Sequence, residues 1–251
     1  MRQRDDFVAR LTHDLRTPII AANRILDFCR RGTYGDELEN IIPHLSGVIE
    51  NNDQLLHMVN SLLEVHRHEA KRKKLTLVNI ELKEVLHSVI SQLRPLAEDK
   101  GIELSVCCSE KYDQCGQMFI GDRIETHRIF TNLIGNSIKF THTGVIKVSI
   151  DYVPATSVPS VKSKDVEKKR QFFLITVFDT GIGIPPDLLP SIFDRYKSGQ
   201  HINSGSGLGL NLTRRIVELH SGYIHITSNP QEFTQVEVYL PAKAISASPR
   251  V

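Results

Sequence analysis

The sequence predicts an α domain followed by an α/β domain: a helical hairpin forming a dimeric four-helix bundle, then an α/β sandwich. Three observations predict it. Two long stretches, residues 3–31 and 36–70, carry apolar residues at helical spacing, and the breaker-rich turn Gly32-Thr33-Tyr34-Gly35-Asp36 separates them. After the basic run Lys71–Lys74 the texture changes to short strand-like runs alternating with amphipathic helices. The length, 251 residues, is enough for two separate cores. The expected division is 1–70 for the hairpin, 71–74 for a linker, 75–241 for the second domain and 242–251 for a frayed tail.

In the first stretch Phe7, Leu11, Leu15, Pro18, Ala22, Leu26 and Cys29 fall in one stripe roughly 100° wide, the seam of a bundle helix. Pro18 is expected to kink it, since proline lacks the backbone donor. His13 lies about 170° from the middle of that stripe and faces solvent. Thr17, one turn on, shares its side, and Asp14 sits about 100° round the helix. Ile20, Arg24, Asp27 and Arg31 fall on the same side, which makes Ile20 a candidate docking contact. The second stretch carries the stripe Leu38, Ile42, Leu45, Ile49, Leu56, Val59 and Leu63, with Asn52 on it as a residue that can fix register. A single hairpin buries too little apolar surface, so a homodimer is expected.

The second domain reads as strand 75–78, a helix from Leu82 to Lys100 stopped by Gly101, strands 102–108 and 118–120, and a helix from Asp122 to Thr141. Strands 145–153 and 172–179 follow, then a helix near 187–196, a Gly/Ser-rich loop, a helix 207–221, and a closing hairpin of strands 223–228 and 235–240. Residues 154–170 read as a flexible insertion.

A net charge of +2 argues against a nucleic-acid partner or a charged membrane surface. No apolar run approaches the ~20 residues of a membrane span, and no signal peptide opens the chain, so a cytoplasmic segment without membrane contact is expected. The chain starts directly on the helix that bears His13, as expected of a piece whose upstream sensory part, and any membrane anchor with it, is missing. Cys29, Cys107, Cys108 and Cys115 match no zinc spacing and are expected to be reduced.

Three constellations in the second domain can carry chemistry. In N-L-I-G-N-S-I-K-F-T, Asn132, Asn136 and Lys139/Phe140 repeat at helical spacing, so two amides and an ammonium line one face. Amide oxygens are hard neutral ligands suited to a Mg²⁺ that also holds phosphates, and Lys offers phosphates a point charge. In D-T-G-I-G-I, a strand-end carboxylate, Asp179, can accept from an amino group, while Gly181 and Gly183, next to Ile184, permit close backbone approach. In G-S-G-L-G-L, Gly205, Ser206, Gly207, Leu208 and Gly209 lead to Leu210 and a helix start, whose free amides favour anions. The polar segment 198–206 before it is fit to serve as a lid.

The segment F-V-A-R-L-T-H-D-L-R-T-P resembles the phosphoacceptor box of two-component sensor histidine kinases. The later constellations resemble, in order and spacing, the N, G1, F and G2 boxes of that family's ATP-binding domain, the Bergerat fold. The resemblance runs from about residue 4 to residue 241. It implies ATP-dependent autophosphorylation of His13, with Asp14 orienting the ring, and phosphotransfer to an aspartate of a response regulator. Asn136 is implied as Mg²⁺ ligand, Asn132 and Lys139 near the phosphates, and Phe140 against the nucleoside. Asp179 would read adenine, with Gly181, Gly183 and Ile184 beside it. Gly205, Ser206, Gly207, Leu208 and Gly209 would enclose the triphosphate. Phe193-Asp194-Arg195-Tyr196 resembles the family's F-x-R-F and makes Arg195 the candidate for the γ-phosphate. Thr17 would orient water for a regulator phosphatase activity. The family's glycine pair before the final strand is replaced by Gln231-Glu232-Phe233. Two rivals are a conformational ATPase of the wider Bergerat group, which lacks the H-D-L-R-T-P box, and a degenerate kinase serving as a dimeric scaffold or phosphatase.

Overall fold

The computed structural model describes residues 2–35, 39–49, 52, 55, 75–116, 118–159, 171–194 and 209–242, with the backbone alone for residues 2–15. The chain forms two compact units, Met1–Lys73 and Lys74–Val251.

In the first unit, helix α1 spans Arg2–Arg30 and runs through Pro18. Its turn uses Gly32 and Gly35 at positive φ, where a side chain would be strained, and α2 follows over residues 39–49. Pro18 and Ala22 are buried and Ile25 and Cys29 half-buried, while Leu26 is exposed, so Ile25 replaces Leu26 in the expected seam. Ile25 Cδ1 lies 3.9 Å from where a Cβ on Gly47 would stand, which places α2 against this seam. The stripe expected on α2 behaves differently. Ile42 and Ile49 are 54% and 60% exposed and Leu45 is at the edge of exposure, while Val48 is buried and Ile41, His44 and Leu55 half-buried. The helix therefore carries two adjacent apolar strips, and the sequence reading followed the outward one. Asn52 is exposed in the single chain. Leu38, Leu56, Val59, Leu63 and the linker lie outside the described residues.

The second unit is built on a five-stranded mixed sheet in the order β2-β4-β5-β7-β6. Its strands are β2 (Ile102–Cys108), β4 (Gly144–Pro154), β5 (Gln171–Asp179), β6 (Tyr223–Asn229) and β7 (Phe233–Pro241). The pair β2–β4 is parallel and the others are antiparallel. A separate antiparallel ribbon pairs β1 (Leu77–Ile80) with β3 (Phe119–Asp122). Phe173, Ile175 and Val177 alternate inward from β5 and meet Val236, Val238 and Leu240 of β7. Over this face lie α3 (Leu82–Glu98), α5 (Arg123–Phe140) and α6 (Gly209–Leu219), which contribute Leu86, Ile90, Phe130, Ile134 and Ile216 to the same core. One face thus takes the period-2 apolar set and the helices take their 3.6-residue stripes.

The differences from expectation are local. The first strand and the β3 strand begin later than predicted, and Asp122 ends β3 as the cap of α5. The helix expected near 187–196 is a single 3₁₀ turn, Leu189–Ser191, within the described part. A short helix α4, Glu110–Cys115, escaped prediction because six residues carry too little periodicity; Ser109 caps it and also bonds Asp151. In the expected insertion the strand continues to Pro154 and a 3₁₀ turn follows over Ala155–Ser157; residues 160–170 and 243–251 lie outside the described residues.

Helix α6 ends in a Schellman turn: Gly222 N–H donates to Val217 O at 2.9 Å and Ser221 N–H to Glu218 O at 2.9 Å. Ser221 sits at the left-handed position, φ 57°, which glycine usually fills. Ser221→Gly is expected to raise the stability of the second unit by about 0.5–1 kcal/mol, measured by urea denaturation.

Candidate functional site

The polar face of α5 is fixed at both ends. At the N-terminus the Asp122 carboxylate accepts from Ile124 N–H (3.0 Å) and Glu125 N–H (3.1 Å) and also takes Thr76 N–H at 2.9 Å. Asp122 N–H donates to His220 Nε2 at 3.0 Å, so His220 Nδ1 carries the proton and donates to Ile216 O at 2.8 Å. Burial lowers the His220 pKa, which suits this neutral role, against the backbone bond to Ile216 and the charges of Asp122 and Glu125. At the C-terminus Lys100 Nζ donates to Ile138 O (2.7 Å) and Lys139 O (3.2 Å), carbonyls that the helix itself leaves without partners.

Between these anchors Ile129, Phe130, Leu133, Ile134, Ser137 and Ile138 face the core. Asn132, Asn136, Lys139 and Phe140 lie on the other side. Asn132 Nδ2 donates to Thr213 Oγ1 of α6 at 2.7 Å. A Cβ on Gly209 would collide with Asn132 Oδ1, so a side chain there would push the Asn132 amide aside. Lys139 Nζ stands 5.4 Å from the centre of the Phe140 ring, and burial, then the Lys100 charge, lowers its pKa. Asn136 is half-buried with no hydrogen-bond partner among the described residues. No group of three His, Cys, Asp or Glu side chains able to hold a metal occurs among those residues. The Asn136 amide oxygen is a hard neutral donor of the kind a Mg²⁺ takes together with phosphate and water.

Asp179 ends β5, buried, across the sheet from Ile146. Its Oδ2 accepts from Ser137 Oγ–H at 2.8 Å and its Oδ1 from Gly181 N–H at 3.1 Å. Burial raises its pKa, and these two bonds pull it back toward the ionised form. The following turn is pinned: Ile182 N–H donates to Phe140 O (3.1 Å), Gln231 N–H to Ile182 O (2.8 Å) and Ile184 N–H to Ser228 Oγ (2.8 Å). Gly183 takes φ 67°, and a Cβ there would collide with the Asn229 carbonyl. Gln231 adopts the left-handed conformation itself, φ 65°, in the hairpin where the resembled family shows glycines.

The structure thus brings Asn132, Asn136, Lys139, Phe140, Asp179, Gly181, Gly183, Ile184 and Gly209 into one unit. Arg195, Gly205, Ser206, Gly207 and Leu208 lie outside the described residues. On the near side of that segment Phe193 O accepts from Asn211 Nδ2 at 2.8 Å. His13 and Asp14 lie in α1, and Thr17, one turn on, is exposed, as is Ile20. Sequence reasoning missed Ser137, Thr141, Thr213 and His220. Ser137 had one signal, a hydroxyl interrupting the apolar stripe 130–133–134–138; Thr213 and His220 reveal themselves only through partners distant in sequence, and Thr141 only through its burial.

Comparison with known proteins matches the histidine kinase-, DNA gyrase B- and HSP90-like ATPase family over residues 121–244 and the His Kinase A phospho-acceptor domain over residues 3–71. The chain belongs to the sensor histidine kinases. It is 29% identical over 248 residues to the autoinducer 2 sensor kinase/phosphatase LuxQ of Vibrio cholerae, covering 97% of this chain and 27% of LuxQ. The chain therefore spans only about a quarter of that relative's length. Among solved structures, full-length ShkA in complex with AMPPNP matches at TM-score 0.65 and 23% identity, over 96% of this chain and 47% of that one. ThkA in complex with the response regulator TrrA matches at TM-score 0.68 and 19% identity, over 97% and 64%. At these identities the two likenesses speak of the fold alone: a helical unit and an α/β unit. No helix among the described residues of this kinase is long and apolar enough to cross a membrane.

The Asp179 carboxyl gives a signed pH effect. Its folded-state pKa lies above the ordinary aspartate value, so its contribution to stability is full below that value and lost as pH rises through the folded one. Ser137→Ala removes a bond to the ionised form and is expected to raise the Asp179 pKa further, read by carboxyl-carbon NMR titration.

Proposed function

We propose that this kinase transfers the γ-phosphoryl group of ATP to His13 and passes it to an aspartate of a response regulator. The observation that carries the reading is the buried Asp179 carboxylate at the end of β5. Among the described residues, two of its four acceptor sites are used internally, which leaves capacity for an amino group of adenine. The polar face of α5 beside it suits phosphates, and ShkA, a protein of the same fold, is known with AMPPNP.

In the proposed reaction a neutral imidazole nitrogen of His13 supplies its lone pair to the γ-phosphorus. The N–P bond forms as the bond to the β,γ-bridging oxygen breaks, and ADP leaves. Asp14 stabilises the proton on the other ring nitrogen as positive charge builds, then accepts it. When the regulator's aspartate attacks the phosphorus, the N–P bond breaks and that proton returns to the ring. Mg²⁺, held by Asn136 and the phosphates, supplies neutralisation of phosphate charge. Lys139 and Arg195 supply further positive charge to the phosphates, with Gly205, Ser206, Gly207, Leu208 and Gly209 around the triphosphate. Thr17 orients water for dephosphorylation of the regulator, a second activity in keeping with the kinase/phosphatase name of LuxQ. The regulator docks on the His13 side of α1, where Ile20 is 56% exposed. A homodimer accounts for the outward apolar strip Ile42, Leu45 and Ile49, and for Ile19 and Leu26 on α1. A cytoplasmic setting supplies ATP and suits four free cysteines.

Incubation with γ-labelled ATP and Mg²⁺ tests the reading. Wild type is expected to take up acid-labile, alkali-stable label, His13→Gln none, and Asn136→Ala to label about 100-fold more slowly. Label on His13→Gln would move the acceptor elsewhere; no label on any variant, with ATP still bound, would favour the scaffold or phosphatase reading. The double variant Ile42→Lys/Ile49→Lys is expected to elute as a monomer in light-scattering chromatography, and a persisting dimer would place the interface on another face.

A further inference from the structure

Between Asp179 and residue 194 the chain forms no strand and no α-helix; its one regular piece is the 3₁₀ turn Leu189–Ser191. Such a segment leaves backbone polar groups that must find partners elsewhere. At its far end the peptide unit joining Phe193 to Asp194 has found both. Its N–H, on Asp194, donates to Ser191 O at 2.9 Å, and its C=O, on Phe193, accepts from Asn211 Nδ2 at 2.8 Å. The first bond is local, whereas the second ties the peptide plane to α6. Three residues on from Asn211, and so on the same side of that helix, Arg214 places its guanidinium carbon 5.9 Å from the centre of the Phe193 ring.

The other side of α6 makes a different tie. Thr213, about 200° round the helix from Asn211, accepts from Asn132 Nδ2 at 2.7 Å on the polar face of α5. The N-terminal end of α6 thus joins the face that carries Asn132 and Asn136 to the peptide plane at Phe193–Asp194. A peptide unit is rigid, and each residue adds two soft dihedrals. Only the two dihedrals of Asp194 therefore separate the fixed plane from Arg195. Asparagine is a poor helix former, because its amide competes with the backbone, so what Asn211 contributes lies outside the stability of α6 itself.

We propose that Asn211 is a positioning residue for phosphoryl transfer. By holding the Phe193–Asp194 peptide plane, its amide fixes the place from which Arg195 reaches the γ-phosphate, relative to the polar face of α5. The inference rests on the reading of Arg195 given above, and adds to it a residue that follows the G-S-G-L-G-L motif without being part of it. An arginine stabilises developing phosphate charge only when it is accurately placed. Loss of the tie therefore slows transfer without weakening a nucleotide that has no γ-phosphate.

Two measurements test it: the rate of His13 labelling at saturating γ-labelled ATP, and ADP affinity by calorimetry. Asn211→Ala is expected to label about three- to tenfold more slowly while binding ADP as the wild type does. Arg195→Ala is expected to be slow as well, and the double variant Asn211→Ala/Arg195→Ala no slower than Arg195→Ala alone, because nothing is left to position. An undiminished rate in Asn211→Ala, a parallel loss of ADP affinity, or losses that multiply in the double variant would overturn the assignment of Asn211. Labelling of Arg195→Ala at the wild-type rate would instead overturn the γ-phosphate reading of Arg195, and this inference with it.

Discussion

The second unit depends on one buried carboxylate and the groups that hold it. Asp179 stands at the end of a central strand, where removal from water favours the protonated form. The Ser137 hydroxyl and the Gly181 amide oppose that tendency, and each comes from a different element: α5 on one side, the turn after β5 on the other. The two hydrogen bonds therefore tune the acid and at the same time tie a helix and a loop to the sheet. Phe140, one residue beyond the polar face of α5, holds the same turn through its carbonyl. Moving any of these pieces would move the others, so the geometry around Asp179 is set collectively.

The helix that supplies this polar face is positioned from its far end by a second buried polar cluster. Asp122 caps α5, takes the backbone of Thr76 ahead of β1, and offers its own N–H to His220 at the end of α6. A neutral imidazole is suited to the task, since it accepts on one nitrogen and donates on the other. The three segments Thr76, α5 and α6 thus share one hub, and the Asn132–Thr213 bond adds a second tie between the two helices. Polar networks of this kind are stable only when each member is satisfied. The Thr141 hydroxyl, the buried side-chain polar atom without a partner among the described residues, stands out against that background.

In the helical unit the controlling constraint is the number of apolar strips on α2. A helix that packs on one neighbour needs one strip; α2 has one toward α1, around Val48, and another pointing outward through Ile42, Leu45 and Ile49. Leaving the outward strip in water is unfavourable by roughly 25 cal/mol for each Å² of apolar surface, which is the physical pressure toward association. The His13 side of α1 is polar by comparison, with Arg30 and Arg31 both paired to Asp27.

By itself the sequence determined the division into a helical and an α/β unit, the number and order of the long elements, and the residue types gathered at the site. These are written in local periodicity, in breakers such as Gly32 and Gly101, and in motif spacing, all of which act over a few residues. Only the tertiary structure decided which of two apolar strips on α2 faces α1, because 3.6-residue periodicity marks a face as apolar without naming its partner. It likewise decided that Asp122 caps a helix instead of beginning one, that Gly209 serves close packing against Asn132, and that Gln231 takes the conformation a glycine would. Ser137, Thr213 and His220 owe their roles to neighbours far away along the chain. Hydrogen bonds between segments tens of residues apart leave no periodic trace, so burial and partner had to be seen in the fold.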